Sequence, residues 1–219
     1  MLRLQLETSG RRPYRILCLG AHSDDIEIGC GGTILKLLSS RRTFDFHWVV
    51  FSSGAERERE AHRSAELYLK GAARKNICIL NFRNGFFPFE GLKIKECFED
   101  LKHRWSPDLI LTHNREDLHQ DHRVINQLTW NTWRNHFILE YEIPKYDGDL
   151  GTPNFFVPLD RKICDRKIRY LMACFVTQRN KHWFTEDMFQ ALMRIRGMEA
   201  NSPGRFAEAF YSRKLVLGA

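Results

Sequence analysis

No cysteine pairing device is present in this chain. The six cysteines, Cys18, Cys30, Cys78, Cys97, Cys164 and Cys174, include no CxxC pair. That excludes ribbon or finger spacing for a metal. Several lie in apolar runs, where a thiol behaves as a small hydrophobe, so a reducing compartment is expected. Absent too is any apolar run near the roughly 18 residues of a membrane span. The opening, MLRLQLETSGRRPYR, has no apolar h-region before a cleavage site. A soluble, cytoplasmic protein is the expectation. Internal repeats, low-complexity tracts and heptads are lacking, and linkers are few. The one long stretch rich in Gly and Pro, DGDLGTPNFFVP at 147–158, is expected to be a surface loop beside the site rather than a domain boundary.

What is there fits one domain over residues 1–219, with 43% hydrophobic and 28% charged residues. The formal charge of +7 suits nucleic acid, an anionic membrane surface or a phosphorylated ligand. Charge alone does not choose among them. No helix shows a concentrated basic face with base-reading residues, and no RRM, KH or zinc-finger spacing occurs, so nucleic acid is not expected as a partner. RRPYR, with Lys93 and Lys95, is either plain basic surface or a contact for an anionic substrate.

Strand-like and helix-like stretches alternate. RILCLG precedes TILKLLSS, FDFHWVVFSS precedes EREREAHRSAELYLK, NICILNF precedes KIKECFEDLKHRW, and PDLILTH precedes DHRVINQLTWNTWR. FILEYEIP adds a fifth strand. This βα repeat predicts an α/β fold: a Rossmann-like, doubly wound, mostly parallel sheet with helices on both faces and a C-terminal elaboration.

Two clusters carry the chemistry. His22, Asp24 and Asp25 follow the first strand, and HNREDLHQDHR, residues 113–123, follows the fourth. In a sheet of order 3-2-1-4-5 these strands are neighbours, ~5 Å apart, and the crevice at their carboxyl ends is where ligands bind. Two adjacent carboxylates repel unless something positive sits among them, and the second loop brings histidines to meet them. Three imidazole and carboxylate ligands suit a catalytic zinc site with a fourth position open; such a set also accepts Fe2+ or Co2+. The glycines of GCGGT are expected to turn the chain tightly into a helix, with Thr33 near its start. GCGGTI is not G-x-G-x-x-G, and the second strand ends in SSG rather than an acid, which argues against a nicotinamide cofactor.

Plainer readings stand beside these. Asp24 and Asp25 also suit an acidic pair at a helix N-terminus, EREREAHR a solvated helix face, Asn84 an Asn-Gly turn and His113 the end of a strand. The aromatics of NGFFPFEG and GTPNFFVP are either core and turn material or a wall for a sugar ring.

AHSDDIEIGCGGT at 21–33 together with HQDHR at 119–123 resembles the PIG-L or LmbE-like family of metal-dependent de-N-acetylases, whose pattern is AHPDD, a glycine-rich turn and a downstream HPDHR. SSGAEREREA and the late FAEAF resemble further family segments. The resemblance implies that His22, Asp25 and His122 are metal ligands, that Asp24 is the general base, and that His119 donates to the oxyanion. Asp121 is a candidate for orienting an imidazole. An arginine and an acid that family members use for the sugar would fall near Arg57 and Asn84. Ser23 replaces the usual proline and is expected to loosen the loop; Ile26 stands where many members have Glu, with Glu27 next; Asn84 stands where Asp is expected.

The implied activity is removal of an N-acetyl group from an acetamido sugar, which is nucleotide-, lipid- or metabolite-linked or free. An amidase acting on a larger acyl group of an amino-sugar conjugate is the alternative, followed by a nucleic-acid binder and a catalytically silent relative. A homo-oligomer is also among the expectations, since relatives of this fold often assemble as trimers or hexamers.

Overall fold

The computed structural model describes residues 12–216. The start of the chain, including Leu2 to Arg11 of the opening segment, lies outside the described residues. One seven-stranded sheet runs through the molecule in the order β3-β2-β1-β4-β5-β7-β6. Its first five strands are β1 (Tyr14–His22), β2 (Phe44–Ser52), β3 (Arg74–Ile79), β4 (Leu109–His113) and β5 (Phe137–Tyr141), and they pair in parallel. The other two are β6 (Phe155–Leu159) and β7 (Phe206–Tyr211), with β7 antiparallel to both β5 and β6. The order 3-2-1-4-5 is the one the βα alternation implies.

The alternation of β1 feeds two cores. Ile16 and Cys18 face the layer of α1 (Asp25–Leu38), α2 (Ala55–Tyr68), α5 (Arg161–Cys174) and α6 (Glu186–Glu199). Leu17, Leu19 and Ala21 face α3 (Gly91–Arg104) and α4 (Gln120–Thr132). The sheet is therefore covered on both faces, and a strand buried on both sides must read as a near-continuous apolar run, as RILCLG does. Among the described residues no helix is long and apolar enough to cross a membrane.

Two expectations are corrected here. The stretch 147–158 is not wholly loop, because its end enters β6 at Phe155. Pro158 hid the strand; it is tolerated because β6 is an edge strand, where a missing N–H costs no ladder bond. The glycines of GCGGT do not turn the chain into a helix either, since α1 already begins at Asp25 and Thr33 lies well inside it. They serve close packing. A Cβ on Gly29 would lie 2.2 Å from the Tyr141 ring, and one on Gly32 would lie 2.9 Å from Glu208 Oε1. Through that gap Glu208, in the FAEAF strand, accepts from the Gly32 and Thr33 amides at 2.7 and 2.6 Å. Lys167 completes the lock, with Nζ 2.6 Å from both Glu208 Oε1 and the Ile28 carbonyl. The C-terminal elaboration thus fixes the helix whose first turn carries the acidic pair.

Candidate metal centre

The site lies at the carboxyl ends of β1 and β4. His22 ends β1, Asp24 is the N-cap residue of α1 and Asp25 its first residue. The acidic-pair reading is therefore also true as geometry, and it does not compete with the metal reading. From the other strand, His113 ends β4, His119 is the N-cap residue of α4, and Asp121 and His122 occupy its first turn. His22, Asp24, Asp25, Asp121 and His122 are all buried, and His119 is half-buried.

Three atoms converge. His22 Nδ1 lies 3.1 Å from His122 Nε2 and 3.4 Å from Asp25 Oδ2, and His122 Nε2 lies 3.5 Å from the same oxygen. Ligands about 2.0–2.1 Å from a tetrahedral ion stand roughly 3.4 Å apart, so the spacing suits one divalent cation. The donor set gives an independent test. The outer nitrogen of His22, Nε2, is 3.2 Å from Asp121 Oδ2, and the outer nitrogen of His122, Nδ1, is 2.8 Å from Asp117 Oδ2. A carboxylate can only accept, so each outer nitrogen carries the proton and both inner nitrogens present lone pairs. Two lone pairs and a carboxylate oxygen facing one another require a proton or a cation between them.

The titration behaviour reflects this crowding. Burial pulls the His22 pKa down, but the Asp25 charge and the hydrogen bond to Asp121 outweigh it and raise it to about 9. His122 is pushed the other way by burial and by His113, to about 3. Burial acts against the charge of Asp25, yet His122, His113 and His22 hold its pKa well below the usual carboxylate range. In the metal-free protein the charge that offsets this buried anion is the proton on His22, whose Nδ1 lies 3.4 Å from Asp25 Oδ2.

His113 and His119 also lie within ligand range: sets of His22, His119 and His122, and of Asp25, His113 and His122, each place their donor atoms within 4.8 Å of one another. Tautomers separate these from the His22, Asp25 and His122 set. His119 Nδ1 accepts from the Asp121 amide at 3.2 Å, so its Nε2 bears the hydrogen and is a donor. His113 Nε2 accepts from the Ala21 amide at 2.9 Å, which uses the lone pair a metal would need. His113 thus does more than end its strand: it holds the backbone just ahead of His22.

Around this centre, Arg57 in the first turn of α2 donates to Asp24 Oδ1 at 2.7 Å, while Asp24 Oδ2 is buried without a partner among the described residues. Burial raises the Asp24 pKa, and the Arg57 charge opposes the rise. Asp121 reaches across the chain to His22 rather than orienting a neighbour on its own helix, and it also accepts from the Gly85 and Phe87 amides at 2.6 and 3.1 Å. Gly85 takes a φ of +81°, which favours glycine and aims its N–H at Asp121. Asn84 is exposed on that turn and makes no side-chain hydrogen bond to a described residue.

Other expectations fare differently. Ser23 does not loosen the loop; it is buried and donates to Ser53 Oγ at 3.0 Å, tying the ends of β1 and β2 together. The aromatics of 84–91 lie at the site, with Phe87 buried 6.1 Å from the His22 ring and Phe86 and Phe89 exposed. Those of 151–158 pack at the far edge of the sheet, where Phe155 meets Phe137 and Phe210. Of the basic residues singled out as an anion contact, Arg12 pairs with Asp108 at the amino end of β1 and Lys95 pairs with Glu99 on α3, while Arg11 lies outside the described residues.

Sequence reasoning missed Asp117, Lys145 and Lys181. Asp117 was legible as one more acid in the HNREDLHQDHR cluster. Lys145 pairs with Asp117 Oδ2 at 3.0 Å, and Lys181 acts electrostatically on Asp24; both come from distant segments that carry no local signal.

Known proteins share this arrangement of chain. A curated Escherichia coli (strain K12) protein described as uncharacterized deacetylase YaiS is 28% identical over 148 residues, 64% of this chain and 79% of its own. The solved N,N'-diacetylchitobiose deacetylase from Pyrococcus horikoshii has a TM-score of 0.69 at 20% identity, covering 91% of this chain and 83% of that one. The 4-carboxy-2-hydroxymuconate hydratase GalB from Pseudomonas putida KT2440 has a TM-score of 0.72 at 16% identity, covering 94% and 98%. A fold that serves both a deacetylase and a hydratase does not by itself name the reaction. The model of the family described as PIG-L: GlcNAc-PI de-N-acetylase matches residues 17–133, more than half of the chain, and the protein belongs to that family.

Proposed function

We propose that this protein is a zinc-dependent N-deacetylase that hydrolyses the acetamide of an amino-sugar substrate, with residues 1–219 acting as one catalytic domain. The supporting observation is the three-acceptor set of His22, Asp25 and His122 beside a buried, unpartnered Asp24 oxygen. A cation held by that set would polarise the amide carbonyl and acidify water. The remaining steps belong to the chain.

Asp24, with Arg57 fixing one oxygen, uses Oδ2 to take the proton of the attacking water. Burial that raises its pKa makes the carboxyl a better base and a better proton carrier. Neutral His119, kept neutral because burial lowers its pKa, donates from Nε2 to the carbonyl oxygen as negative charge develops there. The C–N bond then breaks, Asp24 returns its proton to the departing amine, and acetate and the free amino sugar result. Asp121 and Asp117 hold the two imidazoles in the tautomer that points a lone pair inward.

The test is bound metal per chain together with acetate release. The purified protein should hold near-stoichiometric zinc, a His22→Ala, His122→Ala variant should lose it, and zinc-loaded wild type should release acetate from at least one member of a panel of N-acetylated sugars and glycoconjugates. A wild type that stays empty when zinc is supplied overturns the reading.

A further inference from the structure

The two imidazoles of the centre are backed unequally. Asp121, behind His22, takes its other hydrogen bonds from the neutral Gly85 and Phe87 amides, and among the described residues no lysine or arginine pairs with it. Asp117, behind His122, meets a cation. Its Oδ2 accepts from His122 Nδ1 at 2.8 Å and from Lys145 Nζ at 3.0 Å, so imidazole and ammonium share one oxygen, while Oδ1 accepts from the His119 amide at 2.8 Å.

The cation is built in. Lys145 follows β5 in the segment EIPKYDGD, and its side chain is 9% exposed. Gly148, at a φ of +64°, lets the chain turn back so that Asp149 meets the same ammonium at 2.5 Å. Asp149 Oδ2 also accepts from the Leu118 amide at 2.7 Å. Two carboxylates thus hold consecutive amides of the turn that leads into α4, and Lys145 bridges them. The plain reading is structural, because two buried carboxylates need a counter-charge. That need does not require the ammonium to sit on the one oxygen that backs His122. A carboxylate raises the basicity of the imidazole it holds, and a cation on the same oxygen draws that charge away.

We propose that Lys145 is a positioning residue that tempers the metal centre: by sharing Asp117 Oδ2 with His122 it limits the electron donation of that imidazole, which leaves a bound cation less tightly held and more acidic. His22, backed by an unshared carboxylate, is then the stronger of the two anchors. The proposal rests on the zinc reading of His22, Asp25 and His122, and its affinity test does not depend on which amide is cleaved.

The experiment measures zinc affinity by competition with a chelator, and acetate release at saturating zinc from a panel of N-acetylated sugars, in wild type, Lys145→Met, Lys145→Arg and Asp149→Asn. Lys145→Met should bind zinc about tenfold more tightly, since His122 then feels the full Asp117 charge, and should show a lower kcat. Asp149→Asn should bind it more weakly, because the ammonium then belongs to Asp117 alone, and Lys145→Arg should stay near wild type. A lysine that only holds the turn gives another pattern: Lys145→Met and Asp149→Asn both break the bridge, and both lose affinity. The double variant Lys145→Met, Asp149→Asn leaves Asp117 as the one charge of the three and decides the matter where Lys145→Met alone does not fold; it should bind zinc more tightly than Asp149→Asn. Weaker binding in Lys145→Met than in wild type, or in the double variant than in Asp149→Asn, overturns the proposal and leaves the zinc reading standing. The expected affinities without acetate release from any compound overturn the deacetylase reading while the hold of Lys145 on the ion stands. A wild type that takes up no zinc overturns both.

Discussion

His22 Nδ1 and His122 Nε2 face each other across 3.1 Å, and each ring is gripped from behind by a carboxylate, His22 by Asp121 and His122 by Asp117. The grip sets the tautomers, and the tautomers leave two lone pairs and a carboxylate oxygen facing one another, a donor set suited to a cation.

Asp117→Ala should therefore weaken zinc binding by about 10–100-fold while leaving the three ligands in place. Competition against a chromogenic chelator reads this directly. An affinity equal to that of wild type would mean that Asp117 only neutralises Lys145.

Asp24→Asn should keep its zinc and lose rate. A proton-transfer group typically contributes 10²–10⁴-fold, and Asn cannot carry the proton. Metal content and turnover measured on one preparation separate the two effects; loss of zinc with the activity would place Asp24 among the ligands.

The raised His22 pKa has a consequence for stability. With a folded value of about 9 against roughly 6.5 unfolded, the proton on His22 stabilises the metal-free fold fully below pH 6.5, and that contribution disappears as pH rises toward 9. The loss is on the order of 3 kcal/mol. Bound zinc displaces the proton, so the zinc-loaded protein should not show this loss. Urea midpoints at pH 6.5 and 9, with and without chelator, should diverge as pH increases, and parallel curves would contradict the assignment.

Glu27 is buried in the first turn of α1 beside Ser64, and burial, opposed only in part by the Ser64 hydroxyl, raises its pKa well above the ordinary value. Its protonated form is the one the fold accepts. Above pH 4.5 the unfolded chain ionises this group while the folded chain resists, so wild type loses stability with rising pH until the folded pKa is passed. Glu27→Gln removes that penalty and should gain on wild type between pH 5 and pH 8 in zinc-loaded protein. A difference in melting temperature that stays constant across the range would show Glu27 to be ionised in the fold.

Much of this was legible in the chain itself. The apolar runs RILCLG and PDLILT, followed by helical periods, dictate a parallel sheet, and a parallel sheet sends the residues after its first and fourth strands into one crevice. The two clusters that hold His22, Asp25 and His122 could be brought together on paper because short-range pattern and the rule for strand order were enough, while the choice of these three within them came from the family resemblance. Where pattern and local rule conflicted, the sequence misled. Pro158 spoke against a strand that edge placement permits, and three closely spaced glycines suggested a turn where they instead let Tyr141 and Glu208 reach α1.

The sequence by itself determined the strand order, the two clusters that converge and residue types suited to a cation, because these follow from hydrophobic periodicity and from chemistry carried within short segments. Only the tertiary structure decided which nitrogen of each histidine bears its proton, which carboxylate holds each ring, and that Lys145, from beyond β5, pairs with Asp117 behind His122. Those are facts of distance and orientation between segments remote in the chain. Packing fixes them, and no local pattern of residues encodes them.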